Sequence, residues 1–153
     1  MIVDPITLSP DDTLARASKI MSEYKIGGIP IVNAAGILVG IITNRDLRFQ
    51  VADGRTIGSL MTSQNLVTAP EGTNLEEAEN ILQQYKVEKL PVVDKNGKLT
   101  GLITYKDILK KRNFPNACKD HLGRLRAGAA VGVSHDTIER ITALVHASVD
   151  VVT

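Results

Sequence analysis

Two seven-residue segments, Gly40-Ile41-Ile42-Thr43-Asn44-Arg45-Asp46 and Gly101-Leu102-Ile103-Thr104-Tyr105-Lys106-Asp107, carry the side chains best suited to chemistry in this chain. Each reads as a strand running into a helix. A Thr at a helix start offers a hydroxyl beside backbone N–H groups, which suits phosphate, and a carboxylate one turn on can accept both hydroxyls of a ribose. Arg45 and Lys106 add cationic donors nearby. Thr43, Arg45 and Asp46, with Thr104, Lys106 and Asp107, are therefore candidate nucleotide ligands. Thr-x-x-Asp is also a common helix cap with an acidic third residue. Its recurrence at matching places of a repeat tips the reading toward binding.

Gly27-Gly28-Ile29-Pro30 and Glu88-Lys89-Leu90-Pro91 would form the other wall of each site. Gly28, Ile29 and Pro30, and Lys89, Leu90 and Pro91, bring backbone and aliphatic groups that can sandwich a purine base. The alternative is that Gly27 ends a helix and the prolines sit at strand edges, and both statements can hold together. The second copy lacks the glycines, so Lys89 would narrow its site or redirect it toward phosphate, and the two sites need not be equivalent.

Little else suggests catalysis. Cys118, His121, His135 and His146 show no metal-site spacing and no Cys-His pairing, and read as structural or surface residues. Gly128-Ala129-Ala130-Val131-Gly132 has neither the spacing and Lys of a P-loop nor a dinucleotide fingerprint. Lys110-Lys111-Arg112 reads as a solvated helix end complementing the dipole, or as a basic run facing a polyphosphate.

The elements that position these residues are written twice. Sliding the sequence by 61 residues superimposes 6–49 on 67–110: Thr7 on Thr68, Leu14 on Leu75, Ala17 on Ala78, Tyr24-Lys25 on Tyr85-Lys86, Pro30 on Pro91, Gly40 on Gly101 and Asp46 on Asp107. Each copy predicts a short strand ending at Thr7 or Thr68, then an amphipathic helix (Leu14, Ala17, Ile20, Met21, Tyr24; Leu75, Ala78, Ile81, Leu82, Tyr85). Asp12 or Thr13 can cap the first helix, and Asn74 with Glu77 resembles a capping box. A hairpin follows, Ile29 to Val32 and Ile37 to Ile42 about Gly36, matched by Leu90 to Val93 and Leu99 to Ile103 about Asn96-Gly97. A second helix starts near Thr43 and Thr104. The fold class is α/β (α+β), with two β-α-β-β-α repeats. At roughly 45 residues neither buries enough surface alone, so they should pack about a pseudo-twofold axis.

Residues 113–153 leave this pattern. Leu125 to Val133 reads as a buried strand, Ser134 or Asp136 as the cap of a helix carrying Ile138, Ile141, Leu144 and Val145, and Val149 to Val152 as a further strand. Such a β-α-β unit normally belongs to a larger sheet or barrel covered on both faces. The expected division is 1–61, 62–112 and 113–153.

Composition narrows the function classes. Of 153 residues 43% are hydrophobic and none is Trp, which suits an aliphatic core. A formal charge of +1 provides no global field for nucleic acid or an anionic membrane, so any anion must be held locally. No apolar run approaches the roughly 18 residues of a membrane span, and the N-terminal residues do not read as a signal peptide. With one cysteine, the chain reads as cytoplasmic.

The doubled unit resembles the cystathionine-β-synthase (CBS) repeat family, over residues 1 to about 110. The resemblance implies a regulatory pair of repeats that binds adenosine or guanosine nucleotides in the cleft between them. Ile42 to Phe49, Met61-Thr62, and Lys119-Asp120 through Gly123-Arg124-Leu125 to Gly132 are similar to the inosine-5′-monophosphate (IMP) dehydrogenases, in which such a pair is inserted into a (β/α)₈ barrel. That implies a regulatory module responding to ATP or GTP and associating as a homo-oligomer. The parent enzyme would oxidise IMP with NAD and a monovalent cation, in guanine nucleotide synthesis. The family's catalytic Cys, its phosphate-binding glycines and its Arg-Tyr flap have no counterpart here, and Cys118 does not match that cysteine. The chain is thus expected to be a catalytically silent piece holding no cofactor of its own, with 113–153 as part of the barrel. Two rivals stand beside this reading: a stand-alone nucleotide sensor or interaction module, and a structural dimerisation module with empty clefts. Preference between adenine and guanine, and the number of occupied sites, stay open.

Overall fold

In the computed structural model, which describes residues 1–50, 54–120 and 124–153, the 61-residue spacing of the sequence is also a spacing of backbone conformation. The first repeat contains α1 (Leu14–Glu23), β1 (Gly28–Val32), β2 (Leu38–Thr43) and α2 (Asn44–Leu47). After a 3-10 turn at Ile57–Ser59, the second contains β3 (Ala69–Pro70), α3 (Leu75–Tyr85), β4 (Lys89–Val93), β5 (Leu99–Thr104) and α4 (Tyr105–Asn113). The class is mixed α/β. The chain divides into compact units of residues 1–110 and 111–153.

Local chemistry explains the elements. Thr13 caps α1 by accepting the Arg16 N–H at 3.2 Å, while Asn74 accepts the Glu76 and Glu77 N–H groups at 2.9 Å and receives the reciprocal Glu77 bond at 3.2 Å. Both helices end at a left-handed lysine, Lys25 at φ 52° and Lys86 at φ 54°, rather than at Gly27. The N–H of Ile26 then reaches back to Met21 O at 3.0 Å, and that of Val87 to Leu82 O at 3.1 Å, closing the last turn. The entry strands lie slightly later than the sequence suggests. Leu8, not Thr7, pairs with the first hairpin, through Leu8 N–H to Pro30 O (3.3 Å) and Val32 N–H to Leu8 O (3.0 Å). In the second repeat Ala69–Pro70 runs parallel to Val92–Val93.

The hairpins are antiparallel and share a register, Ile29 opposite Ile42 and Leu90 opposite Ile103, each with an irregularity one residue before the strand end. Their cores repeat as well. Leu8, Ala17, Met21, Ile29, Ile31 and Ile42 are buried in one, and Ala69, Ala78, Leu82, Leu90, Val92 and Ile103 in the other, each pair 61 apart. Reciprocal hydrogen bonds join the hairpin ends: Leu38 N–H to Gly97 O at 3.0 Å, and Leu99 N–H to Gly36 O at 3.1 Å. Exchanging the repeats exchanges these two bonds, as a pseudo-twofold relation requires.

Residues 111–153 are organised otherwise. β6 (Gly128–Ala129) pairs in parallel with β7 (Val151–Val152), and α5 (Thr137–His146) lies between them in sequence. The long buried strand expected over Leu125 to Val133 is only these two residues, and Leu125 (71% exposed) and Val133 (101%) lie in solvent. No described residue of 111–153 is buried. Asp136 stands at the N-cap position without a side-chain cap bond; Thr137 instead accepts the Ser134 N–H at 2.7 Å.

Candidate functional site

At both Thr-x-x-Asp segments the carboxylate caps its own helix. The N–H and hydroxyl of Thr43 both donate to Asp46 Oδ2 at 2.7 Å. Thr104 does the same with Asp107 Oδ2, at 2.9 and 3.0 Å, and the Asp107 N–H returns a 3.3 Å bond to Thr104 Oγ1. Capping therefore uses one carboxylate oxygen; among the described residues Oδ1 of each Asp accepts no hydrogen bond. The amides are less available than the sequence suggests, because Asn44 N–H donates to Gly27 O (3.1 Å) and Tyr105 N–H to Glu88 O (2.9 Å). Neutralising a phosphate thus falls chiefly to side-chain cations.

One of them, Lys89, lies where the repeats meet. The pseudo-twofold relation sets Gly28 against Lys89, and a methyl built on Gly28 would lie 2.6 Å from Lys89 Cδ and Cε. The lysine of the second repeat therefore lies across the glycine of the first, in space that any larger residue at 28 would fill. Lys89 is partly buried, its ammonium 3.7 Å from the exposed Glu88 carboxylate. Burial pushes its pKa below the ordinary lysine value, and the charges of Lys106 and Arg45 push the same way against the opposing pull of Glu88. The Lys89 ammonium is thus partly desolvated beside one exposed carboxylate. Such an ammonium gains from an anion.

The rest of the predicted wall lies inside. Ile29 and Leu90 are 0% exposed and Pro30 and Pro91 are fully buried, so these four serve as core and present no surface to a ligand in this structure. Gly40 and Gly101, which open the two motifs, serve packing. A methyl on Gly40 would meet Met61 Sδ at 2.5 Å and Thr62 O at 3.1 Å; on Gly101 it would meet Met1 Sδ at 2.9 Å and Ile2 O at 3.1 Å. The edge segments Met1-Ile2 and Met61-Thr62 escape the repeat alignment because they match at an offset of 60, with one extra residue between Met61 and Thr68. A search allowing one insertion would find them. Two surface grooves, one of about 390 Å³ lined by Ile6, Thr7, Arg16, Lys19 and Tyr24 among others, the other of about 620 Å³ beside Thr68 and Asp94, include none of the predicted site residues. Cys118, His135 and His146 are exposed, and no group of three metal-ligating side chains occurs among the described residues. His121 and Gly123 lie outside the described residues.

A family model for the CBS domain matches residues 1–53 and 57–113. The chain belongs to the CBS domain family. Over 99% of its length it is 54% identical to the IMP dehydrogenase of Aquifex aeolicus and 53% identical to that of Bacillus subtilis. It spans about a third of these relatives, 31% and 32% of their lengths. Among solved structures, GMP reductase from Trypanosoma brucei in complex with guanosine 5′-triphosphate superimposes with a TM-score of 0.83 at 33% identity, over 99% of this chain and 37% of that one. CBSX2 in complex with AMP gives 0.63 at 29% identity, over 72% of this chain and 88% of that one. In the two hairpins Gly28 stands opposite Thr43 and Lys89 opposite Thr104, so the contact of Lys89 with Gly28 joins the strand ends from which the two Thr-x-x-Asp segments run.

Proposed function

We propose that this CBS pair is the regulatory, purine-nucleotide-binding part of an IMP dehydrogenase, and that in the whole enzyme its occupancy governs a barrel that oxidises IMP for guanine nucleotide synthesis. The observation that carries the reading is the contact of Lys89 with Gly28, each opposite the Thr of a Thr-x-x-Asp segment whose Asp keeps one carboxylate oxygen unused. The cations take a polyphosphate; Asp46 and Asp107 take ribose hydroxyls; the base lies against the part-exposed Gly27 and Lys89 at the mouths of β1 and β4. Thr43 and Thr104 hold the carboxylates in place. The nucleotides named for CBSX2 and the trypanosomal reductase support a purine mono- to triphosphate as ligand. We assign residues 1–61 and 62–112 to the repeats and 113–153 to the barrel, and place the protein in the cytoplasm as a homo-oligomer associating through its CBS pairs. A stand-alone sensor remains the second reading, favoured by CBSX2, of which the match covers 88%.

Calorimetric titration of ATP and GTP into wild type, Asp46→Asn, Asp107→Asn, the double variant and Lys89→Gln tests the proposal. Losing a charge-assisted ribose contact weakens each site at least about tenfold, while melting temperature changes little, because an amide retains some capping ability. Lys89→Gln weakens triphosphates more than monophosphates. Since Lys89 binds an anion only when protonated, affinity also falls as pH rises through its lowered pKa. If the double variant binds as tightly as wild type but melts several degrees lower, the aspartates are caps alone.

A further inference from the structure

The segment that leads into each repeat is bonded to the other repeat. Ile2, which precedes the first repeat, pairs antiparallel with Leu102 on β5 of the second, through Ile2 N–H to Leu102 O at 2.8 Å and Leu102 N–H to Ile2 O at 2.9 Å. Thr62, which precedes the second repeat, pairs in the same way with Ile41 on β2 of the first, at 2.9 and 3.0 Å. Leu102 and Ile41 each stand two residues before the Thr of a Thr-x-x-Asp segment. From Ile2 the chain reaches its own repeat at Leu8 within six residues, and from Thr62 it reaches Ala69 within seven. Tethers so short span at most about 20 to 25 Å, and the first is stiffened by Pro5, whereas the second holds an extra residue, Asn65, in the left-handed conformation at φ 53°.

We propose that the two lead-in segments are crossed straps that couple each Thr-x-x-Asp strand to the entry strand of the opposite repeat, the strap through Pro5 being the tighter. A displacement of β5 when a nucleotide closes on Thr104 and Asp107 then pulls on Ile2, and through it on Leu8 and β1. The part of this coupling that involves nucleotide rests on the function proposed above; the strap itself does not.

Hydrogen exchange of the whole chain separates the two. Ile2→Pro removes the donor to Leu102 O, and Gly101→Ala displaces Met1 and Ile2 without altering the strap. Without ligand, both variants should speed exchange not only at Leu102, the direct partner, but about threefold at Val32, whose amide is bonded to Leu8 at the far end of the strap. A change confined to Leu102 in both variants overturns the proposal whatever binds. With saturating ATP, wild type should gain protection at Ile2 and Leu102; Asp46→Asn should retain that gain and Asp107→Asn lose it. If calorimetry records ATP binding and Ile2 is unmoved, the coupling fails. If it records none, the functional reading fails, and the ligand-free exchange at Val32 still judges the strap.

Discussion

The two repeats share their backbone almost residue for residue, yet they are completed by different means. In the first, the link after α2 folds back: Ile57 N–H donates to Asp12 O at 2.7 Å, Leu14 N–H to Arg55 O at 3.1 Å, and the Ile57 side chain, 0% exposed, closes the core. The residue 61 further on is Cys118, which is exposed. The second core is filled from within instead, by Ile108 on α4, where the first has the partly buried Leu47. A duplicated unit can keep one register of strands and helices while the last place in its core is filled from different parts of the chain. The difference is a matter of packing, so it can be broken by changing volume.

The largest effect is expected at Ile57. Ile57→Ala leaves a cavity in a fully buried site and should cost about 2 to 5 kcal/mol, whereas Cys118→Ala should stay within about 0.5 kcal/mol. Chemical denaturation followed by a probe in each repeat checks both. Equal costs would mean that the repeats are closed in the same way after all.

A smaller contrast lies at the motif glycines. The methyl of Gly40→Ala meets Met61, which is packed against the first core, so it should cost about 1 to 3 kcal/mol by overpacking. Gly101→Ala meets Met1, which is 45% exposed and can swing away, and the Ile2 carbonyl at 3.1 Å, which must give by a few tenths of an ångström, and should cost less than about 1 kcal/mol. Similar melting temperatures for the two variants would contradict the assignment of Met61 to the core.

Much of this was legible beforehand, for reasons that mark where legibility stops. Apolar spacing placed the helices and hairpins because the two cores are filled by the residues whose periodicity defines the elements: Ala17 and Ile29 in one repeat, Ala78 and Leu90 in the other. Thr-x-x-Asp was legible as a cap because capping is local. The meeting of Lys89 with Gly28 was not, since it depends on how two repeats face each other. Lys25 and Lys86 end their helices in a conformation usually left to glycine, although Gly27 stands only two residues beyond Lys25. Leu125 to Val133 misled for a physical reason: an apolar run reads as buried only if something covers it, and among the described residues of 111–153 nothing is buried. For the candidate site, residue types were legible in the sequence, and the fold decided that Ile29, Pro30, Leu90 and Pro91 are core.

The smallest effect concerns the hairpin turns, where one substitution between repeats changes charge but not geometry. Asn33 Oδ1 accepts the N–H groups of Ala35 and Ile37, both at 3.0 Å; Asp94 Oδ1 accepts those of Asn96 and Lys98, both at 2.8 Å. The turn glycines match too, at φ 78° and 79°. The Lys98 N–H, aided by that of Asn96, holds the Asp94 carboxyl below its ordinary pKa, so the folded turn favours the ionised form. The stabilisation is complete above the unfolded value of about 3.9 and is lost as pH falls through the lower folded value. Asn33 has nothing to titrate. Acidification below about pH 4 should therefore loosen the second hairpin before the first, seen as faster exchange at Asn96 and Lys98 than at Ala35 and Ile37 after correction for intrinsic rates. Asp94→Asn should abolish the difference and leave the neutral-pH structure unchanged. An acid response that survives Asp94→Asn would place the sensitive group elsewhere.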